Sequence, residues 1–135
     1  MSTQAERLRP QLLLPLSLLF VAILLTVTGE LMLKHGMNQH GVLEVELGTV
    51  LTTFFRVFSN PFIFFGFVFI FSGSLFWLAV ISRVPLSFAY PMLSSSYVLV
   101  VFASWLFLGE RLTVERIAGV FIIIVGVSLV FRSGQ

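Results

Sequence analysis

The chain has 135 residues, of which 58% are hydrophobic and only 10% are charged, and its mean hydropathy is +1.06. Soluble domains carry about 25% charged residues, so this composition excludes an ordinary soluble domain and indicates an integral membrane protein. The formal net charge is only +2 and the basic residues are scattered along the chain, so we expect no nucleic-acid partner.

Four apolar runs are each long enough to cross a bilayer core of about 30 Å, which takes roughly 20 helical residues. They are Leu12–Leu33, Pro61–Ile81, Pro85–Leu108 and Val114–Phe131. The runs are continuously apolar, without the alternation of a transmembrane β-barrel. The sequence therefore predicts an all-α membrane protein whose four transmembrane helices form one compact bundle over residues 1–135. The short connections leave no room for a soluble catalytic domain, so we do not expect an enzyme.

The first span follows Arg7 and Arg9, an arrangement that is also typical of a secretory signal peptide. No A-x-A-like cleavage site follows, and the apolar run is longer than the usual 7 to 15 residues of such a peptide. We therefore expect the first span to be retained.

Glu30 and Lys34 stand near the end of this apolar span. Glu30 lies about 27 Å along a helix that starts at Leu12, close to the far membrane boundary. The two residues have the i, i+4 spacing of a helical ion pair, which is one explanation for them. Ionisable residues inside a span are otherwise functional candidates, because lysine binds phosphate and glutamate accepts from sugar hydroxyls or amines. We predict that both bind the head of an amphiphilic substrate.

The long connection is His35–Asn60. Its second part, residues 43–58, carries charged residues among apolar ones. This pattern predicts either an interfacial helix on the lipid headgroups or a loop that covers a substrate entrance. His35 and His40 have no further histidine to complete a metal site, and the chain has no cysteine, so we expect no metal or other cofactor.

The second span is rich in phenylalanine, and Gly66 and Gly73 allow a neighbouring helix to approach closely. Arg83 follows this span, on the opposite membrane side from Lys34. Arg83 is either a second cation that meets a substrate phosphate or an anchor for the link, and both interpretations remain open.

In the third span, Pro91 removes a backbone donor and predicts a kink. Tyr90, Ser94 and Tyr97 are spaced i, i+4, i+7 and so share one stripe of a helix. The stripe is either a polar pathway through the bundle or a set of interhelical hydrogen bonds.

Gly119 and Gly126 share one seam of the fourth span. The seam is either a close helix contact, which we assign to a dimer, or a pair of lipid-facing glycines, which are frequent in membrane helices. Lysine and arginine are equally numerous on the two membrane sides, so the positive-inside rule gives no orientation. Two oppositely inserted copies would form an inverted, antiparallel homodimer. Alternatively, a paralogous subunit completes a heterodimer and fixes the orientation.

The stretches TGELMLKHG, VPLSFAYPMLSSSYV and LGERLTVERIAGVFIIIVGVSLV resemble half-size, EamA-like members of the drug/metabolite transporter superfamily. The resemblance covers all four spans but not His35–Asn60. It is strongest to the paired subunits of the flippase for undecaprenyl-phosphate-linked aminoarabinose. Their motif of Gly-Gln, a later Lys and V-P-x-x-x-A-Y-P-x-L-S falls on Gly29, Glu30, Lys34, Val84, Pro85, Ala89, Tyr90, Pro91, Leu93 and Ser94. Glu30 departs from it, because the family has an amide there.

The chain is also similar to the small multidrug resistance exporters, with which it shares Ala89, Tyr90 and a glycine seam in the last helix. In that family this seam forms an antiparallel dimer. However, the proton-coupling glutamate of those exporters falls on Thr26, and their substrate-stacking tryptophan falls on Leu93. Both hallmarks are missing.

These resemblances imply a carrier of the bacterial inner membrane that moves a polyprenyl-phosphate-linked monosaccharide, or a similar anionic glycolipid, between leaflets. The alternatives are a proton-coupled exporter of hydrophobic cations and a membrane scaffold without transport. The candidate substrate-binding residues are Glu30, Lys34, Arg83, Tyr90, Ser94 and Tyr97.

Overall fold

The computed structural model describes residues 2–43 and 48–133, with side chains from residue 12 onward. All regular secondary structure in these ranges is helical. The helices are α1 (Ser2–His40), α2 (Val50–Phe58), α3 (Pro61–Ile81), α4 (Leu86–Leu93), α5 (Ser95–Leu108) and α6 (Val114–Ser133).

The described residues contain four helical segments that are long and apolar enough to cross a membrane. They are Leu12–His40, Pro61–Ile81, Leu86–Leu108 and Val114–Ser133. The prediction of an all-α chain with four candidate membrane spans is therefore confirmed. The helix of the first span continues beyond the expected boundary at Leu33.

The extension of α1 to His40 is stabilised by contacts with the start of α3. Asn60 accepts a hydrogen bond from the Phe62 backbone N–H at 2.9 Å and so caps α3. The Asn60 amide also donates to Gln39 Oε1 at 2.9 Å and lies 3.4 Å from His40 Nε2. One side chain thus begins α3 and fixes the end of α1 beside it.

The helix in the connection, α2, is shorter than the interfacial helix predicted over residues 43–58 and begins at Val50. Leu43 is not helical, Gly48 and Thr49 form a turn, and residues 44–47 lie outside the described ranges. Glycine is a poor helix former, so a start after Gly48 is physically reasonable.

Helices α1 and α3 form an antiparallel pair through a glycine seam, which comprises Gly29, Gly36, Gly66 and Gly73. A Cβ atom on Gly29 would lie only 2.6 Å from the Gly66 carbonyl oxygen. Side chains at these positions would force the backbones apart, and small residues are what lets membrane helices approach so closely. The close approach predicted for Gly66 and Gly73 is confirmed.

The hydrophobic core lies where α1 and α3 meet α4. It contains Leu19, Ile23 and Val27 of α1, Val80 of α3, and Ala89 and Met92 of α4. These side chains are at most 6% exposed. The core therefore joins the α1–α3 pair to the beginning of the third span.

The third span is broken at Ser94, which separates α4 from α5 just after Pro91. The Ser94 N–H donates to the carbonyl oxygens of Tyr90 at 3.0 Å and Pro91 at 3.1 Å. This tightened turn is the kink expected from Pro91. Gly109 then ends α5 with a φ of +67°, a left-handed conformation that glycine adopts without strain.

Helix α6 packs against α4 and α5 and contains no buried residue over its described length, Val114–Ser133. A Cβ atom added to Gly119 or Gly126 would meet nothing within 4 Å. Within a single chain, the α6 glycines are therefore not a helix-packing seam.

We expect Gly66→Ala to destabilise the protein, because the new Cβ would lie 2.9 Å from the Gly29 carbonyl oxygen and 2.8 Å from Leu33 Cδ2. Overpacking of this kind costs about 1–3 kcal/mol. The measurement is the thermal unfolding midpoint of the monomer in detergent. Gly119→Ala is the matched control, since its Cβ enters open space. A wild-type midpoint for Gly66→Ala would contradict the close packing.

Candidate functional site

Glu30 and Lys34 lie on the face of α1 that carries the core residues. Positions 19, 23, 27, 30 and 34 follow helical spacings of four, four, three and four, so they share one stripe. Val27 is only 6% exposed, whereas Glu30 and Lys34 are both exposed. The packing of other helices against this face of α1 therefore ends between Val27 and Glu30. The charged side chains of Glu30 and Lys34 lie at the edge of the apolar core.

The ion pair that the spacing of Glu30 and Lys34 permits is not formed. In the described part of the chain, the one salt bridge joins Arg116 of α6 to Glu110 in the link before this helix, at 4.0 Å. Neither Glu30 nor Lys34 has another polar partner there. The carboxylate and the ammonium group are consequently both available to a ligand.

Arg83 makes a structural contact at the opposite end of α3. Its guanidinium donates to the Ala79 carbonyl oxygen at 2.6 Å and to Ser82 Oγ at 3.1 Å. An arginine that binds the last carbonyl groups of a helix satisfies acceptors that the helix itself leaves free. This geometry is that of an anchor for the link after α3, which is one of the two interpretations that the sequence left open for Arg83.

Lys34 and Arg83 are far apart within one chain. Gln39 near the end of α1 touches Asn60 at the start of α3, and Arg83 follows the other end of this 21-residue helix. A helix of that length spans about 30 Å. One chain therefore presents these cations at opposite ends of the bundle.

Tyr90 and Ser94 line a shallow groove of about 450 Å³ between α4 and α6, and Gly126 lines its other side. Tyr90 is 57% exposed, and its ring meets Trp77 of α3 edge to face with 5.5 Å between centroids. Ser94 Oγ donates to the Tyr90 carbonyl oxygen at 3.1 Å, so its proton is used locally. The groove thus offers a phenol group and a hydroxyl oxygen beside an apolar helix.

Tyr97 is exposed but does not line this groove, and neither do Glu30, Lys34 or Arg83. The structure therefore brings together Tyr90, Ser94 and Gly126, while the charged candidates lie elsewhere. The break at Ser94 separates Tyr97 from the predicted stripe, because Tyr97 belongs to the next helix.

Sequence reasoning missed the contacts around Asn60. An asparagine directly before a proline at the first helical position is a recognisable helix start, so the cap itself was predictable. The bond from Asn60 to Gln39 joins residues that are distant in sequence, and no local pattern indicates it.

Four candidate membrane spans with exposed charges at the rim of an apolar core are typical of a multi-pass membrane carrier. The sequence profile of the EamA-like transporter family matches residues 4–132. The chain therefore belongs to the EamA-like transporter family, and the resemblance to the drug/metabolite transporter superfamily is confirmed.

Two relatives with similar sequences are each named probable 4-amino-4-deoxy-L-arabinose-phosphoundecaprenol flippase subunit ArnE. The protein from Aeromonas salmonicida (strain A449) is 31% identical over 112 residues, which are 83% of this chain and 92% of that protein. The protein from Yersinia pseudotuberculosis serotype O:1b (strain IP 31758) is 49% identical over 57 residues, 42% of this chain. That match spans only 50% of the Yersinia protein's length. No solved structure matches the chain.

We expect Arg83→Gln to loosen the end of α3, because the contact with the Ala79 carbonyl oxygen is lost. The backbone N–H groups of Arg83 and Val84 bond to the Val80 carbonyl oxygen at 2.9 and 3.2 Å. Their amide hydrogens should exchange about two- to tenfold faster in the variant, because one solvent-exposed hydrogen bond contributes about 0.5–1.5 kcal/mol. Arg111→Gln is the control, and equal exchange rates in Arg83→Gln and wild type would refute the anchoring role.

Proposed function

We propose that this protein is a flippase subunit that moves a polyprenyl-phosphate-linked monosaccharide, or a similar anionic glycolipid, across the bacterial inner membrane. The observation that carries the proposal is the exposure of Glu30 and Lys34, unpaired among the described residues, on the core-bearing face of α1. Charges that serve only to stabilise a fold are usually paired when they lie in or near the membrane.

The chemistry of such a cargo suits both charges. A lysine ammonium group binds phosphate as a point charge, and a carboxylate accepts hydrogen bonds from sugar hydroxyls or pairs with a protonated amine. Residues at i and i+4 on a helix have Cβ atoms about 5–6 Å apart, which is comparable to the width of a sugar ring. The name of the relatives contains an amino sugar joined to a phosphate, a combination that would place one group at each side chain.

The groove formed by Tyr90, Ser94 and Gly126 is the proposed continuation of the path. Tyrosine and serine hydroxyl groups there would exchange hydrogen bonds with the head while it passes the bundle. Arg83 and Lys34 lie at opposite ends of the bundle. In two inverted copies, Arg83 of one copy and Lys34 of the other would therefore lie at the same membrane face.

A dimer is part of the proposal. Its support is that α6 buries no residue in one chain and that Gly119 and Gly126 leave room for a second backbone. Because Gly126 also lines the groove, a second copy or a paralogous subunit on α6 would cover the groove and enclose the path.

The alternative function, proton-coupled export of hydrophobic cations, has less support. Thr26, which stands where that family has its proton-coupling glutamate, packs against Gly73 in the glycine seam. It contributes a hydroxyl group to helix packing and has no carboxylate to exchange a proton.

We expect Lys34→Gln to slow transport at least about tenfold, because a lost charged contact is worth about 1.5–3 kcal/mol. The assay measures movement of a fluorescent polyprenyl-phosphate pentose between leaflets of vesicles that hold the full protein, with its paralogous subunit if one copurifies. Lys34→Arg should keep part of the rate, and Arg111→Gln should keep all of it. The proposal is contradicted if the Lys34→Gln variant and the Glu30→Gln variant both transport at the wild-type rate.

We also expect Gly126→Leu to block transport without unfolding the protein. The new side chain would project into the groove beside Tyr90 and Ser94, yet its Cβ meets no atom within 4 Å. Val125→Leu, on the exposed side of α6 away from the groove, is the control. Transport rates and thermal midpoints are compared, and a Gly126→Leu variant as active as Val125→Leu would remove the groove from the path.

A further inference from the structure

Two adjoining cavities lie where α2 covers the end of α1 and the start of α3. The first has a volume of about 390 Å³ and an apolar lining that includes Leu33, Met37, Phe54 and Phe67. Its volume falls within the range of about 300–1,000 Å³ that is typical of small-molecule sites.

The second cavity has a volume of about 260 Å³ and is polar, with His40 and Arg56 in its lining. Both cavities share Leu43, Thr53 and Val57 as lining residues. They are therefore neighbouring compartments, and a single molecule with an apolar chain and a polar head would occupy both.

Helix α2 has the features of an interfacial helix. It docks on α3 through stacked rings of Phe58 and Phe67, with 5.0 Å between centroids, and Phe54 stacks on Phe58 at 4.9 Å. Leu51 and Phe55 remain 74% and 76% exposed. Exposed apolar side chains on a short amphipathic helix beside a candidate span indicate that α2 lies at the boundary between headgroups and acyl chains.

The charge of the polar compartment favours an anionic head. Within the described residues, Arg56 is exposed and has no hydrogen-bond or ion-pair partner. His40 is the other ionisable residue in the lining, and its Nε2 faces the Asn60 amide. Glu44 and Glu46 follow Leu43 in the sequence and lie outside the described ranges, so the test below includes their neutral variants.

We propose that α2, with the end of α1 and the start of α3, forms a binding site for one anionic glycerophospholipid. An acyl chain fills the compartment lined by Phe54 and Phe67, and the phosphate binds the Arg56 guanidinium, which forms two-pronged hydrogen bonds with phosphate oxygens. The site does not depend on the identity of the transported cargo, since the cargo is assigned to Glu30 and Lys34, and neither of these residues lines the two cavities.

A membrane lipid suits this site better than a protein segment. The apolar compartment is lined by Leu33 and Phe67 of two candidate spans, and in a membrane an incoming backbone there would leave its polar groups unsatisfied. An acyl chain has no such groups, and a basic residue at the membrane surface attracts anionic headgroups by about 1 kcal/mol.

The test is native mass spectrometry of the full protein after equilibration with equal amounts of phosphatidylglycerol and phosphatidylcholine. We expect the wild type to retain one phosphatidylglycerol in preference, and Arg56→Gln to lower that preference about fivefold. Arg111→Gln is the matched control, because Arg111 is also exposed but lines neither cavity. Glu44→Gln and Glu46→Gln should keep or increase the preference.

Thr53→Phe tests the acyl compartment separately, because Thr53 lines both cavities and a large ring there fills their junction. We expect this variant to lose the retained lipid while its circular dichroism remains helical. Val57→Phe serves the same purpose if Thr53→Phe does not fold. The proposal is overturned if Arg56→Gln retains the wild-type preference, if Arg111→Gln loses it equally, or if a photoreactive residue at Phe54 crosslinks to protein and not to lipid.

Discussion

The close contact between α1 and α3 is the interaction on which the rest of the structure depends. Gly29 and Gly66 bring the two backbones so near that a Cβ on either residue would collide with the other helix. In a membrane, apolar side chains gain little from leaving lipid, so close van der Waals packing at small residues is a main source of helix association. The glycine seam therefore sets the alignment of α3 along α1, and with it the position of everything attached to either helix.

That alignment has consequences at both ends of the pair. At one end it brings Asn60 beside Gln39, which extends α1 to His40 and creates the corner that α2 covers. At the other end Val80 meets Leu19 and Ile23, and α4 adds Ala89 and Met92. The core is concentrated at this second end, so the same face of α1 becomes exposed at Glu30. The charged rim is thus a direct result of where the packing stops.

Much of the fold was predictable from particular residues. The unbroken apolar runs gave the candidate spans, Pro91 gave the kink, and Gly66 and Gly73 gave the close helix contact, because each is a local property of composition or backbone chemistry. The ion pair that was one explanation for Glu30 and Lys34 is not formed, since i, i+4 spacing permits a pair but does not orient exposed side chains. The candidate-site assignments remain predictions for all of the residues concerned: Glu30, Lys34, Arg83, Tyr90, Ser94, Tyr97, Gly119 and Gly126.

The sequence by itself determined that the chain is helical, that it has four segments suited to a membrane, and that it resembles a transporter family, because periodicity, hydropathy and motif spacing are local quantities. Only the tertiary structure decided that Gly29 lies opposite Gly66, where the packing against α1 ends, and that Arg83 is bound to its own helix. It also decided that α2 closes two cavities of opposite polarity. These features depend on contacts between residues far apart in the chain, and such contacts follow from the alignment of whole helices.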